Sequence, residues 1–274
     1  MLSIPLIGAA LVIVPIAIGV SRITRNVRRK RLMKEPATAG WHDMLMRNVA
    51  LFRVLPDSLR QDLYGHMHNF LKEKRFEGCG GLEMSDEIKV TIAAQACMLL
   101  LNRKATYFPK CDVILVYPSA YLAKRVVDMG THHIEEDSAR LGESWTQGVV
   151  VLAWDHVKQK TLDMEGGHNV VLHEFAHQLD QEDGRSDGAP ILDHRSSYAA
   201  WARVLGSQYD ELKHKAQNHI RDVMDLYGAT NAAEFFAVAT ETFFEKGKQL
   251  KDKHPELYEE LKEYYKLDPA EWNT

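Results

Sequence analysis

The fold turns on one stretch: Gly167-His168-Asn169-Val170-Val171-Leu172-His173-Glu174-Phe175-Ala176-His177-Gln178-Leu179-Asp180. Within it His173, Glu174 and His177 make the pattern H-E-x-x-H. On a helix, side chains at i and i+4 lie one above the other, so both imidazoles can face one metal ion. Glu174, beside the first of them, can reach a water on that metal. Two neutral imidazoles suit zinc, and a water on zinc needs a nearby base to become a nucleophile. Leu172, Phe175, Ala176 and Leu179 fall at i, i+3, i+4 and i+7 and form an apolar stripe. His173, Glu174 and His177 fall off that stripe together. The bare pattern can arise by chance in a chain with 13 histidines. Ligands gathered on the face away from the core set it apart from a pair of ordinary surface histidines.

Composition bounds the rest. A chain of 274 residues, 45% hydrophobic and 26% charged, can bury a substantial core in one or two domains. Its net charge of −4 is unevenly spread. Seven of the 34 basic residues lie in residues 1–34, where there is no acid, so the remainder sets 27 basic against 38 acidic residues. An acidic body argues against direct nucleic-acid binding. The three cysteines, Cys79, Cys97 and Cys111, show no C-x-x-C spacing, so a cysteine-based zinc site is not expected. An odd, sparse set of thiols fits a reducing compartment.

Leu2 to Val20 contains no charged residue. As a helix it would extend about 28 Å, close to the hydrocarbon thickness of a bilayer. Arg22, Arg25, Arg28, Arg29, Lys30, Arg31 and Lys34 follow. A cleaved signal carries its basic residues before the apolar run, and a surface-lying helix shows a polar face; neither pattern is present. The expectation is a transmembrane anchor over residues 1–21, a basic juxtamembrane linker over residues 22–40 and a zinc domain over residues 41–274. The positive-inside rule puts the amino terminus outside and the body in the cytoplasm, on a single-pass protein of the inner (plasma) membrane. The basic flank also attracts anionic lipid.

Along the body, Glu35 to Gly40 reads as a linker and Trp41 to Leu55 as one helix. Asp57 or Ser58 caps a second helix to about Arg75, followed by a loop over residues 76–81. Ser85 caps a third, buried helix to about Asn102. Val113–Tyr117, Arg125–Met129 and Gly148–Ala153 read as strands, with a polar loop from Glu135 to Gln147. A short helix at Trp154–Lys160 precedes the motif helix at about His168–Leu179. Helices at Ser196–Gln217, Asn231–Lys246 and Pro255–Tyr265 complete an α+β arrangement, mostly helical with a small sheet.

A hydrolytic zinc site usually takes three protein ligands. Asp183, six residues after His177, is one candidate for the third, although the turn it needs has Asp180 where glycine is usual. Glu234 is the other, in the first turn of a helix capped by Asn231, where a glutamate can equally be part of a capping box. Glu241, seven residues on, lies on the same face and can instead orient a ligating histidine.

His173 to Asp180, together with Tyr227-Gly228-Ala229-Thr230-Asn231-Ala232-Ala233-Glu234-Phe235-Phe236-Ala237-Val238, resembles the Mlc titration factor A family of zinc metallopeptidases. The segments Gly142–Trp145 and Gln147–Trp154 look like that family's strand region, and the likeness covers roughly residues 40–270. More distantly the chain is similar to the lethal-factor type of gluzincin, which implies a zincin-like domain. The resemblance implies one zinc ion per chain on His173, His177 and Glu234, with Glu174 as general base and Tyr227 assisting the oxyanion. It also implies aminopeptidase-like action on peptide or protein substrates, and a regulator partner, since the founding member binds the glucose repressor Mlc. This chain has Asn231-Ala232 where the family often has Asp-Pro, and it adds the apolar segment. The expected function is therefore that of a membrane-anchored zinc peptidase. Its rival is a membrane-tethered protein that sequesters a repressor, with zinc only structural.

Overall fold

The computed structural model describes residues 19–119, 148–160 and 168–272. Helix α1 covers residues 19–32. It is followed by α2 (Trp41–Asn48), α3 (Ala50–Val54), α4 (Asp57–Glu73), strand β1 (Arg75–Gly78), α5 (Asp86–Met98), β2 (Val113–Tyr117) and β3 (Val149–Ala153). Then come α6 (Trp154–Lys160), α7 (Val170–Asp180), α8 (Ser197–Gln217), α9 (Ala232–Glu245), α10 (Gly247–Lys253) and α11 (Pro255–Tyr265). Short 3-10 turns occur at Gln181–Asp183, Leu226–Ala229 and Pro269–Glu271. The described residues are mostly helical with one small sheet, in keeping with the α+β reading.

The three strands are all parallel, in the order β1-β2-β3. Parallel neighbours need a crossover, and α5 lies in the one between β1 and β2. Ile114 and Val116 of β2 and Val150 and Leu152 of β3 are buried, so these strands carry an apolar face. Strand β1 stands where a loop was expected. Its residues Arg-Phe-Glu-Gly are largely exposed, so no apolar pattern announces it; pairing of Arg75 with Val113 through Gly78 with Val116 creates it. The single helix expected over Trp41–Leu55 is broken at Val49, whose backbone is extended. There Asn48 turns its Nδ2 across to Glu87 Oε1, 2.8 Å away on α5. Helix α10 was not anticipated; its sequence is polar, with only Gly247 and Leu250 buried.

The core gathers around α5, α7 and α9. Ser85 caps α5 through a bond from Ile88 N–H to its Oγ, and from Val90 to Met98 every residue is buried. The stripe Leu172, Phe175, Ala176 and Leu179 of α7 is buried, with Phe175 set against Phe70 and Phe108 at ring distances of 5.5 and 4.7 Å. Every residue of α9 from Ala233 to Glu245 is buried, including three glutamates. Buried carboxylates are costly unless partnered, which draws attention to what faces them.

Residues read as the start of a linker are helical, and the end of α1 is fastened to α4. A Cβ on Gly65 would lie 2.7 Å from both Met33 Cα and Met33 O, so glycine permits the two backbones to touch. Arg28 and Arg29 pair with Glu73 at 2.9 and 2.6 Å. The apolar run Leu2–Val20 lies outside the described residues except for its last two positions, as do the strand expected at Arg125–Met129, the loop from Glu135 to Gln147 and the Gly142–Trp145 segment. Among the described residues no helix is long and apolar enough to cross a membrane.

Candidate metal centre

Helix α7 begins at an Asn169 cap, whose Oδ1 accepts from Leu172 N–H at 3.1 Å and whose Nδ2 donates to Glu245 Oε1 at 3.0 Å. Helix α9 begins at Asn231, whose side chain accepts from the Glu234 N–H at 2.9 Å. These two caps fix the helix starts, and the helices pack directly on one another. His173 and His177 from α7 thereby meet Glu234 from α9.

Three ligand atoms converge. His173 Nε2 lies 3.1 Å from His177 Nε2 and 3.0 Å from Glu234 Oε2; His177 Nε2 lies 3.4 Å from the same oxygen. Glu234 Oε2 is buried yet accepts no well-aligned hydrogen bond from either ring. Zinc bonds of about 2.0–2.1 Å in a tetrahedron separate ligand atoms by about 3.3 Å, so the triangle has the size of a zinc face. Among the described residues, His173, His177 and Glu234 are the group of acidic, histidine and cysteine side chains able to hold a metal ion.

Glu241 supports the first ring. Its Oε1 lies 2.6 Å from His173 Nδ1. An ionised carboxylate has no proton to give, so Nδ1 carries it and the Nε2 lone pair faces the site. Burial alone would lower the His173 pKa, but Glu241 and Glu234 outweigh it and hold the metal-free ring well above the ordinary histidine range. Burial pushes the Glu234 carboxyl up, and the adjacent His173 and His177 pull it down further, to about 2. Glu174, half-buried on the same helix, is raised by burial and by Glu234 and Glu241, with His173 and His177 opposing. A carboxyl raised in this way takes up a proton more readily than an exposed one, which suits a group that must accept one.

Asp183, the alternative ligand, is not part of this group. Its Oδ1 accepts from Arg185 N–H at 2.9 Å on the turn after α7. Asp180 is fully buried, and its Oδ2 accepts from Gly188 N–H at 3.0 Å. It braces the turn where related H-E-x-x-H sites have glycine.

Tyr227 sits in the 3-10 turn before α9, 41% exposed, its ring centre 6.2 Å from that of His173. The turn is pinned by Asp225, whose Oδ1 accepts from Tyr227 N–H at 2.6 Å and whose Oδ2 lies 2.9 Å from His168 Nε2. Nothing in the sequence singles out His168 for this role. Its distance from Asp225 along the chain left no spacing signal to find it.

The chain matches the family description "Glucose-regulated metallo-peptidase M90" over residues 24–266. It is 41% identical over 244 residues to the uncharacterized protein slr2042 of Synechocystis, covering 88% of this chain and 89% of that protein. It is 31% identical over 244 residues to Mlc titration factor A of Yersinia pestis, covering 84% of this chain and 85% of that protein. The same identity and coverage hold for Mlc titration factor A of Yersinia pseudotuberculosis.

Proposed function

This chain belongs to the glucose-regulated metallo-peptidase M90 family, and on that premise we propose that it is a zinc-dependent peptidase of aminopeptidase-like action. It is anchored in the inner membrane through residues 2–20, with a peptidase domain over residues 41–274 in the cytoplasm. The observation that carries the reading is the triangle of His173, His177 and Glu234, of zinc size and completed by no fourth protein ligand among the described residues. A structural zinc site is normally closed by four protein ligands, whereas a hydrolytic one keeps a position open.

His173, His177 and Glu234 would hold one zinc ion, and Glu241 fixes the His173 tautomer. Zinc bound there would supply Lewis acidity, lowering the pKa of a water and polarising a carbonyl. Glu174 takes the proton from the attacking water and passes it to the leaving amine. The Tyr227 hydroxyl donates a hydrogen bond to the oxygen on which negative charge develops. The exposure of Tyr227 leaves it within reach of an arriving peptide.

The test is digestion of a peptide library by zinc-loaded protein, by chelated protein and by Glu174→Gln. Cleavage is expected only from the first, with zinc content unchanged in the variant. Cleavage by Glu174→Gln at the parent rate overturns the assignment of the base. The name of the Yersinia relatives favours a second reading, in which this chain captures a transcriptional repressor and its zinc is structural. In that case no peptide is cut, and repressor capture survives Glu174→Gln.

A further inference from the structure

Eight large hydrophobic side chains are exposed among the described residues, and three of them share α1: Val20 at 55%, Ile23 at 64% and Val27 at 63%. They stand at i, i+3 and i+7, which is one stripe along a helix, about 10 Å long. Lys30 and Arg31 are exposed on either side of its far end, Arg22 and Arg25 are exposed on the other face of the helix, and no acid occurs before Glu35. The chain after residue 34 carries 38 acids against 27 bases, so an anionic surface repels the body and attracts this one helix.

We propose that α1 is a docking surface for an anionic phospholipid bilayer, its apolar stripe entering the headgroup–acyl boundary and its outward basic residues meeting lipid phosphates. This deepens the membrane-anchored reading and rests on it. Apolar residues flanked by arginine and lysine match the layering of a bilayer interface, and in sequence the stripe follows on the uncharged run of residues 2–20. A second copy of α1 is the poorer partner, because it brings another set of like charges against the first.

The helix is also clamped. Arg28 and Arg29 turn inward to Glu73, the Arg29 guanidinium lies 4.5 Å from the centre of the Tyr107 ring, and Asn69 Nδ2 donates to Arg29 O at 3.1 Å. With the backbone contact at Gly65, these bonds hold the body at a fixed attitude to the bilayer rather than on a loose tether.

The experiment uses the full chain in a Cys79→Ser background, with vesicles of phosphatidylcholine alone or mixed with phosphatidylglycerol. Spin labels at Ile23→Cys and Val27→Cys are expected to be shielded from an aqueous nickel chelate and open to oxygen on mixed vesicles, whereas a label at Asn26→Cys stays open to the chelate. The variant Lys30→Gln/Arg31→Gln should lose on the order of 10-fold in binding to mixed vesicles, at about 1 kcal/mol per basic residue discounted for incomplete contact, and nothing on phosphatidylcholine. The distance between labels at Val27→Cys and Lys253→Cys should be narrowly distributed and should broaden in Glu73→Gln; a broad distribution in the parent overturns the fixed attitude. Binding to phosphatidylcholine with the Ile23 and Val27 labels still in water overturns this proposal and leaves the anchor standing. Binding to mixed vesicles alone, weakened in the glutamine variant, removes the anchor and keeps α1 as the docking surface. Binding to neither removes both. Spin–spin broadening between chains at Val27 assigns the stripe to a second copy and overturns the lipid assignment.

Discussion

Glu241→Gln separates holding the metal from turning over substrate. The carboxylate is buried and 2.6 Å from His173 Nδ1, so it both selects the tautomer and raises the basicity of the ring. Glutamine is nearly the same size. It keeps one acceptor but loses the charge, and its amide nitrogen can present a donor where an acceptor is needed. Loss of such support weakens metal binding by about 10–100-fold, or about 1.4–2.7 kcal/mol. The metal-free fold should lose some stability as well, because the change takes the charge from one partner of the buried Glu241–His173 pair. Competition for zinc against a chromogenic chelator at fixed pH reads the effect without any substrate, and a thermal melt of the metal-free variant checks the fold. Glu241→Ala, which leaves Nδ1–H without its acceptor, should bind zinc more weakly still. A zinc affinity within twofold of the parent, on an intact fold, would refute the idea that this carboxylate supports the site.

Tyr227→Phe should lower turnover by about 10²–10³-fold while zinc affinity and melting temperature stay put, since the side chain is exposed; unchanged turnover removes the hydroxyl from the mechanism. Gly188 has φ +75, and a Cβ there would stand 2.4 Å from Ala232 O at the start of α9. Gly188→Ala should therefore cost about 2–4 kcal/mol of stability in denaturant titration and weaken zinc binding by displacing Glu234; an unperturbed variant contradicts the close approach. His66 is buried against the Tyr107 hydroxyl at 2.9 Å, and burial lowers its pKa to about 4, with Asp62 opposing weakly. Between pH 6.5 and 4 the unfolded chain binds a proton that the native chain does not. Its contribution is full above pH 6.5 and falls by about 3 kcal/mol as the medium is acidified to pH 4. His66→Gln should flatten that part of the stability profile, and an identical slope in the variant would exclude His66 as its source.

Much of this was written locally in the chain. The Ser85 and Asn231 caps, the apolar stripe of α7 and the β-branched run of β2 each carry their structure in neighbouring residues. So did the metal group, because H-E-x-x-H and a capped first-turn glutamate sit on regular helices, although choosing Glu234 over Asp183 needed the family likeness as well. What escaped is set by partners distant in sequence. Strand β1 exists through its pairing with β2, the break at Val49 accompanies the reach of Asn48 to Glu87, and His168 acquires its place only beside Asp225. The fastening of α1 was invisible because basic residues usually signal a solvated flank. Only the fold reveals that two of the arginines reach Glu73.

The two helices that supply the ligands join parts of the chain about 60 residues apart, a separation whose closure is entropically expensive in the unfolded state. An ion bridging them would act as a removable rivet. At a thousandfold excess over its dissociation constant it would add about 4 kcal/mol to the native state. The lifetime of the molecule would then follow the supply of that ion. Under metal starvation the span from α8 to the Tyr227 turn would be the first to open to proteases, coupling the abundance of the protein to the same element that its chemistry requires.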